Sequence, residues 1–275
     1  FWQMYDNIIP LILTNTFHLN ETVSGAIMAA DNVLALFLLP FFGALSDRTS
    51  TKIGRRMPFI LGGTVCAVVL MNLLPIFDNG YAATGKMGKL VLFVVTLGLL
   101  LVAMGTYRSP AVALMPDVTP KPLRSRANAI INLMGAVGGI LYLAAAAVLY
   151  PNSKTAGAAH VNYRPLFIVV SVLMAVSVIV LYLTTNEPKL AAAEKEYEAA
   201  HPEQQLAEEE ADGHEELPKP VKRSLLMLLF SIALWYIGYN GVTTWWTTYV
   251  SRVMGQGLGG ASTCLLVATG GAIVS

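Results

Sequence analysis

Continuous apolar runs of about twenty residues recur along this chain and decide what it can fold into. A run of this length matches an α-helix that crosses the hydrocarbon core of a bilayer. Strands of a membrane barrel would instead alternate polar and apolar residues over about ten positions. Hydrophobic residues make up 55% of the chain and charged residues only 13%, roughly half of the charged share in a soluble domain. We therefore predict an all-α polytopic membrane protein.

The apolar runs predict eight helices. Their expected ranges are 1–17, 22–45, 58–77, 90–115, 127–150, 165–184, 225–250 and 259–275. The third is expected to end at the polar residues Asp78, Asn79 and Gly80. The chain opens and stops inside apolar runs, so we expect it to be an internal part of a longer protein.

Residues 186–223 differ sharply from the rest, because they hold eleven acidic residues against five basic ones. Such a stretch cannot enter lipid, so it is predicted to be a solvated linker, helical around 191–200 and otherwise flexible. Binding of a protein partner is the alternative reading. The predicted domains are a six-helix bundle at 1–185, the linker at 186–223, and the start of a second bundle at 224–275.

Basic residues concentrate in two short turns, which are predicted to face the cytoplasm. An excess of Arg and Lys marks the cytoplasmic loops of membrane proteins. The turns carry seven cations, Arg48, Lys52, Arg55, Arg56, Lys121, Arg124 and Arg126, against five in the opposite loops. The prediction is a multi-pass protein of the cell membrane with a cytoplasmic linker.

Several function classes find no support in the sequence. The two cysteines, Cys66 and Cys264, lie inside apolar runs without metal-ligand or redox spacing. No nucleotide-binding loop or catalytic constellation occurs, and a net charge of +1 offers no surface for nucleic acid. We expect a monomer that is not an enzyme, holds no cofactor or metal, and contacts the lipid bilayer.

The first basic turn carries a recognisable order of charges and glycine. It contains Asp47-Arg48 followed by Gly54-Arg55-Arg56, and it resembles the signature loop of the major facilitator superfamily. Residues 50–53 lengthen the usual loop by four. This longer form resembles the sucrose transporters and the glycoside–pentoside–hexuronide cation symporters. Residues 107–119, followed by Arg126-Ala127-Asn128-Ala129, resemble the end of helix 4 and the start of helix 5 in that group.

The resemblance implies a major facilitator fold of twelve helices. This chain would then supply the first six-helix half, the linker and the start of the second half. The implied function is secondary active transport by alternating access, with a sugar or glycoside carried together with H⁺ or Na⁺. A proton-coupled exporter or drug antiporter of the same fold, and a membrane sensor that does not transport, remain alternatives.

Three charged residues are expected within membrane-spanning helices, two of them in the middle of the membrane, where an ionised side chain costs about 3 kcal/mol. Asp31 lies ten residues into the second helix, about 15 Å from its end at 1.5 Å per residue. Asp6 lies at similar depth in the first helix. Both are candidates for cation coupling, with a structural ion pair as the alternative for Asp31. Arg108, closer to the cytoplasmic end of the fourth helix, is expected to pair with one of the two. The pair would take part in cation coupling by opening and closing with proton binding, or it would be a static pair that fixes helix packing.

The substrate site is predicted from polar and aromatic residues on three helices. Carboxylate-to-diol hydrogen bonds and an aromatic face against a pyranose ring suit a sugar. The candidates are Asp6, Asn7, Trp2 and Tyr5 on the first helix, Asn128 and Asn132 on the fifth, and Tyr236, Tyr239 and Asn240 on the seventh. Gly135, Gly138 and Gly139 are expected to allow close helix packing.

The resemblance also implies a gate at the basic turns. Asp117, at the end of the fourth helix, is expected to meet Arg48 or Arg55. Asp47 and Arg56 would complete the charge cluster. The alternative is that Asp117 is a helix-end charge facing water.

Overall fold

The computed structural model describes residues 1–155, 158, 160–200 and 218–274, and their regular structure is helical. The helices are α1 (Trp2–Leu11, continued by a π-helical turn at Ile12–Thr16), α2 (Glu21–Asp47), α3 (Met57–Thr84), α4 (Met87–Val118), α5 (Arg124–Leu149), α6 (Asn152–Thr155), α7 (Arg164–Thr184), α8 (Glu187–Ala200), α9 (Lys219–Arg252) and α10 (Leu258–Val274). Helices α2, α3, α4, α5, α7 and α9 are long and apolar enough to cross a membrane. The predicted all-α class is confirmed.

Three predicted helix ends are wrong. α3 does not stop at Asp78 but continues to Thr84, where Gly85 adopts a left-handed conformation with φ of 63°. α8 begins at Glu187 rather than near 191, and α9 begins at Lys219, inside the predicted linker. Residues 201–217 of that linker lie outside the described residues. The domain boundaries at 185 and 223 stay a prediction.

α1 lies at the centre of the bundle. Its side chains Tyr5, Ile8, Ile9, Ile12 and Leu13 are almost fully buried, and it packs against α9, α2 and α5. By contrast, α2, α7 and α9 direct many Val, Leu, Ile and Phe side chains outward. Outward apolar faces are what a lipid environment covers, so the burial pattern agrees with the multi-pass prediction.

α3 and α4 form the most extensive helix–helix contact, and a glycine makes it close. A Cβ atom added at Gly63 would lie 2.8 Å from Tyr107 Cβ and 3.2 Å from the Ala103 carbonyl oxygen. The prediction of close packing at Gly135 and Gly138 is wrong, because a Cβ at either position would meet nothing within 4 Å. A close helix crossing therefore lies at α3–α4, where the sequence did not predict one.

Substitution of Gly63 by Ala should destabilise the protein by about 1–3 kcal/mol, because the new methyl group overpacks the crossing. Gly62→Ala is the matched control, since nothing lies within 4 Å of its Cβ. The control should keep or slightly raise the thermal unfolding temperature in detergent micelles, as alanine favours helix. Equal unfolding temperatures for the two variants would contradict the close crossing.

Candidate functional site

A small cavity in the middle of the bundle brings together charged and aromatic side chains from three helices. Trp2 of α1, Asp31 of α2 and Arg108 of α4 line a space of about 20 Å³. The remaining lining residues are Ala35, Leu38, Leu39, Leu101 and Gly105. The tertiary fold thus places three of the predicted site residues around one cavity, although they are far apart in the sequence.

Arg108 is paired differently from the sequence expectation. Its guanidinium carbon lies 4.9 Å from the centre of the Trp2 ring, which is a cation–π arrangement. The structure describes Arg108, Asp6 and Asp31, and no ion pair within 4 Å joins Arg108 to either acid. The prediction of such an ion pair is therefore wrong for this conformation. The ring face attracts the cation without neutralising it, so Asp31 and Arg108 line the same cavity without a direct ion pair.

Two other predicted substrate residues of α1 are engaged in helix contacts. The Tyr5 hydroxyl donates to the Met28 carbonyl at 3.4 Å, which connects α1 to α2. Asn7 is 1% exposed; its Oδ1 accepts from the Thr247 hydroxyl at 2.5 Å, which connects α1 to α9. Asp6 and Trp2 are half-buried. Substrate contact by these four side chains stays a prediction.

The candidates on α5 and α9 lie away from this cavity. Asn128, Asn132, Tyr236, Tyr239 and Asn240 are all exposed. Tyr239 stacks on Trp235, with ring centres 5.5 Å apart, and both line a separate cavity between α9 and α10. The structure does not join these five residues to the centre formed by Trp2, Asp31 and Arg108, and their substrate role stays a prediction.

A buried arginine joins the ends of α2, α3 and α4 near α8. The Arg56 side chain is 5% exposed. Its Nε donates to Asp117 at 2.8 Å, its Nη2 lies 2.5 Å from Asp47 Oδ1, and its Nη1 donates to Ser46 Oγ at 2.5 Å. Arg55 adds a contact of 3.2 Å to Asp117. The expected contact between Asp117 and Arg55 is present, and Asp117 is only partly exposed.

Arg48 was the other partner expected for Asp117, and it takes no part in this cluster. It caps the end of α2 and is exposed. No ion pair of Arg48 is found among the described residues. The sequence could not choose between the arginines, because the direction of each side chain depends on how the loop turns. A gating role for the cluster stays a prediction.

Glu187, which sequence reasoning missed, completes this end of the bundle. Its carboxylate accepts hydrogen bonds from the backbone N–H groups of Arg55 at 2.7 Å, Arg56 at 3.0 Å and Met57 at 3.0 Å. These amides begin α3, where a negative charge is favoured. No feature of the neighbouring sequence distinguishes Glu187 from the ten other acidic residues of 186–223. Its binding to the start of α3 could therefore not be predicted from the sequence.

The helix α8 makes a second contact with the bundle. Glu194 lies 3.0 Å from Arg124, and Arg124 also donates to the carbonyl groups of Thr119 and Pro116 at the end of α4. α8 therefore reaches from the α2–α3 loop to the α4–α5 turn. A segment expected to be a solvated linker contributes directly to the structure of both basic turns.

The contacts that join α9 and α10 to the earlier helices extend toward the end opposite α8. Asn152 Oδ1 accepts from the backbone N–H groups of Gly257 at 2.9 Å and Gly260 at 3.2 Å. Arg252 forms an ion pair with Glu21. By contrast, residues 219–242 of α9 are exposed. α9 and α10 are therefore joined to the earlier helices toward the end of the bundle opposite α8.

Long apolar helices that enclose charged side chains, together with a charge cluster that links their ends, are features found in membrane transport proteins. The family profile of the Major Facilitator Superfamily matches residues 1–275, and the chain belongs to this family.

Curated relatives resemble the chain at low identity. A sucrose transport protein of Arabidopsis thaliana is 28% identical over 201 residues, which cover 63% of this chain and 34% of the relative. A second from the same plant is 36% identical over 114 residues, covering 38% and 22%. A protein of Escherichia coli named as a glycoside/cation symporter is 25% identical over 187 residues, covering 68% and 40%. The aligned part thus spans well under half of each relative, and no solved structure matches.

Replacing Glu187 by Ala should destabilise the protein by about 1–3 kcal/mol, because three backbone N–H groups at the start of α3 lose their acceptor. Glu196→Ala is the matched control, since Glu196 lies on the same helix and is exposed. Thermal unfolding in detergent micelles measures both. If the two variants unfold at the same temperature, α8 does not stabilise the loop in the way described.

Proposed function

We propose that the protein is a secondary active transporter that carries a sugar or glycoside together with a cation, with H⁺ as the coupling ion. The observation that carries this proposal is the cavity between α1, α2 and α4, where Asp31 and Arg108 meet without forming an ion pair. The names of the relatives support the substrate class.

Asp31 is the proposed proton-binding group. An acid in the middle of a membrane protein is retained for function unless a partner neutralises it, and Arg108 is engaged with Trp2 instead. Protonation of Asp31 removes its attraction for the guanidinium. Arg108 then stays on the Trp2 ring, where its N–H groups are available to the hydroxyls of a bound sugar. Proton and sugar would therefore favour the same state.

The cluster of Asp47, Arg55, Arg56 and Asp117 is the proposed gate element at the α8 end. It holds three helix ends as one unit, which suits two halves that rock around a central site. The basic turns support a cytoplasmic position for this end and for the linker. In this arrangement, the transporter is closed on its outer side by two contacts, Asn7 with Thr247 and Glu21 with Arg252.

Uptake into proteoliposomes tests the function. A pH difference of one unit can drive about tenfold accumulation in one-to-one symport, because one pH unit is worth about 1.36 kcal/mol. Under an inward proton gradient, we expect the protein to accumulate at least one sugar from a set of monosaccharides, disaccharides and glycosides. Export of apolar cations driven by the same gradient would favour the antiporter. The absence of any gradient-driven flux would favour a sensor.

Asp31→Asn should abolish gradient-driven accumulation and lower the roughly tenfold ratio to about one, while exchange of labelled for unlabelled sugar continues. The asparagine keeps the shape of the side chain but cannot carry the coupling proton. Glu196→Gln, which removes an exposed acid on α8, is the control and should accumulate sugar as the wild type does. Full accumulation by Asp31→Asn would remove Asp31 from the coupling role.

A further inference from the structure

A second acid is enclosed near the end of α3 opposite α8. Asp78 is 0% exposed, and neither carboxyl oxygen has a hydrogen-bond partner in the described parts of the chain. The Thr16 side chain approaches it from α1 without reaching hydrogen-bond geometry. Lys89 of α4 lies over the Phe77 ring at 5.8 Å and makes no ion pair with Asp78. An ionised carboxylate is strongly disfavoured in such surroundings.

The segment of α1 that faces Asp78 is irregular. α1 changes to a π-helical turn at Ile12–Thr16, and such turns frequently occur at functional sites. The Phe17 ring that follows packs 4.7 Å from Tyr81 and 4.9 Å from Phe93. This packing fixes the end of the turn, so Thr16 is held between α3 and the loop before α7.

The hydrogen bonds around His160 define which ring nitrogen carries a proton. The backbone N–H of Arg164 donates to Asn162 Oδ1 at 3.0 Å, which identifies that atom as an acceptor. Asn79 Nδ2 donates to the same oxygen at 2.9 Å, so Asn79 Oδ1 faces His160. Because that oxygen only accepts, His160 Nε2 donates to it at 2.8 Å.

The other ring nitrogen of His160 is left as a proton acceptor. His160 Nδ1 lies 3.4 Å from the Thr16 hydroxyl. Burial lowers the pKa of His160, which favours onward transfer of any proton that it receives. His160 also lines a cavity of about 360 Å³ at this end of the bundle. The described residues of its lining include no Asp, Glu, Lys or Arg; Asn15, Ser251 and Gln256 supply polar groups.

We propose that Asp78 is a proton-binding site that is loaded through His160 and Thr16 from the end of the bundle opposite α8. With the Thr16 hydroxyl turned toward Asp78 and away from the ring, His160 takes a proton on Nδ1 from water in the cavity. It passes this proton to Thr16 Oγ while the Thr16 hydroxyl proton moves to the Asp78 carboxylate. Imidazolium and carboxylate become neutral imidazole and carboxylic acid, so charge and protons balance.

The ligand of this site is a proton rather than a metal ion. One carboxylate and one hydroxyl supply far fewer oxygens than the six to eight that a hard cation such as Ca²⁺ requires. Tyr163 is the other titratable group near Asp78, and the described residues contain no cluster of three or more acids, histidines or cysteines. The site differs from Asp31 in position and does not depend on sugar transport.

Infrared spectroscopy of the protein in lipid nanodiscs tests the site directly. Near neutral pH, the C=O absorption of protonated carboxyl groups should lose the contribution of one group in Asp78→Asn. It should be unchanged in Glu196→Gln. If Asp78→Asn does not fold, Asp78→Glu should shift the band instead. An identical carboxyl band in the wild type and the folded Asp78 variant would overturn the proposal. The readout needs neither substrate nor gradient, so a failure of sugar uptake leaves it interpretable.

The path is tested by a rapid drop in pH from an alkaline starting value, at which Asp78 has lost its proton, and the change is followed in the same absorption band. His160→Ala should slow the protonation of Asp78 on the order of 100-fold, within the range of a positioned proton donor. His18→Asn is the control, because His18 lies in an exposed position two residues after Thr16 and should leave the rate unchanged. An unchanged rate in His160→Ala would show that the proton reaches Asp78 by another path.

Discussion

The arrangement of the helix ends near α8 depends on one buried guanidinium. Arg56 could not be enclosed without partners for its charge and its N–H groups. Asp47 and Ser46 of α2, together with Asp117 of α4, provide them. Three helices are therefore tied to one side chain. Glu187 then binds the amide groups on either side of that arginine, so the linker helix is held to the same point.

Lipid imposes a related constraint on the middle of the bundle, because it offers no hydrogen bonds to polar groups. Tyr5 and Asn7 meet this constraint by bonding to α2 and α9, which also fixes α1 at the centre. Asp31 and Arg108 do not meet it through each other. Charge left unpaired within a membrane protein is a reason to propose that ligands and ions act there, and this supports the site that we propose at the junction of α1, α2 and α4.

Much of the fold and part of the site could be predicted from the sequence. The membrane fixes how long an apolar helix must be, so the spans were found from hydropathy alone. Their ends were less certain. Asp78 looked like the end of a helix because polar residues follow it, whereas Asn79 is paired with Asn162 and His160. The sequence predicted Trp2, Asp31 and Arg108 as site residues, and they line the central cavity. It did not predict that Arg108 contacts Trp2, because a cation can interact with an acid or with an aromatic face.

By itself, the sequence determined the all-helical class, the membrane spans, the charged loop and membership of the superfamily. These are properties of consecutive residues, since hydropathy, turn length and motif spacing are all read along the chain. Only the tertiary structure decided the pairing of Glu187 with Arg55 and Arg56, and of Thr16 with His160. Such residues are separated by more than a hundred positions, and their contact depends on how helices pack, a geometry that no single stretch of sequence contains.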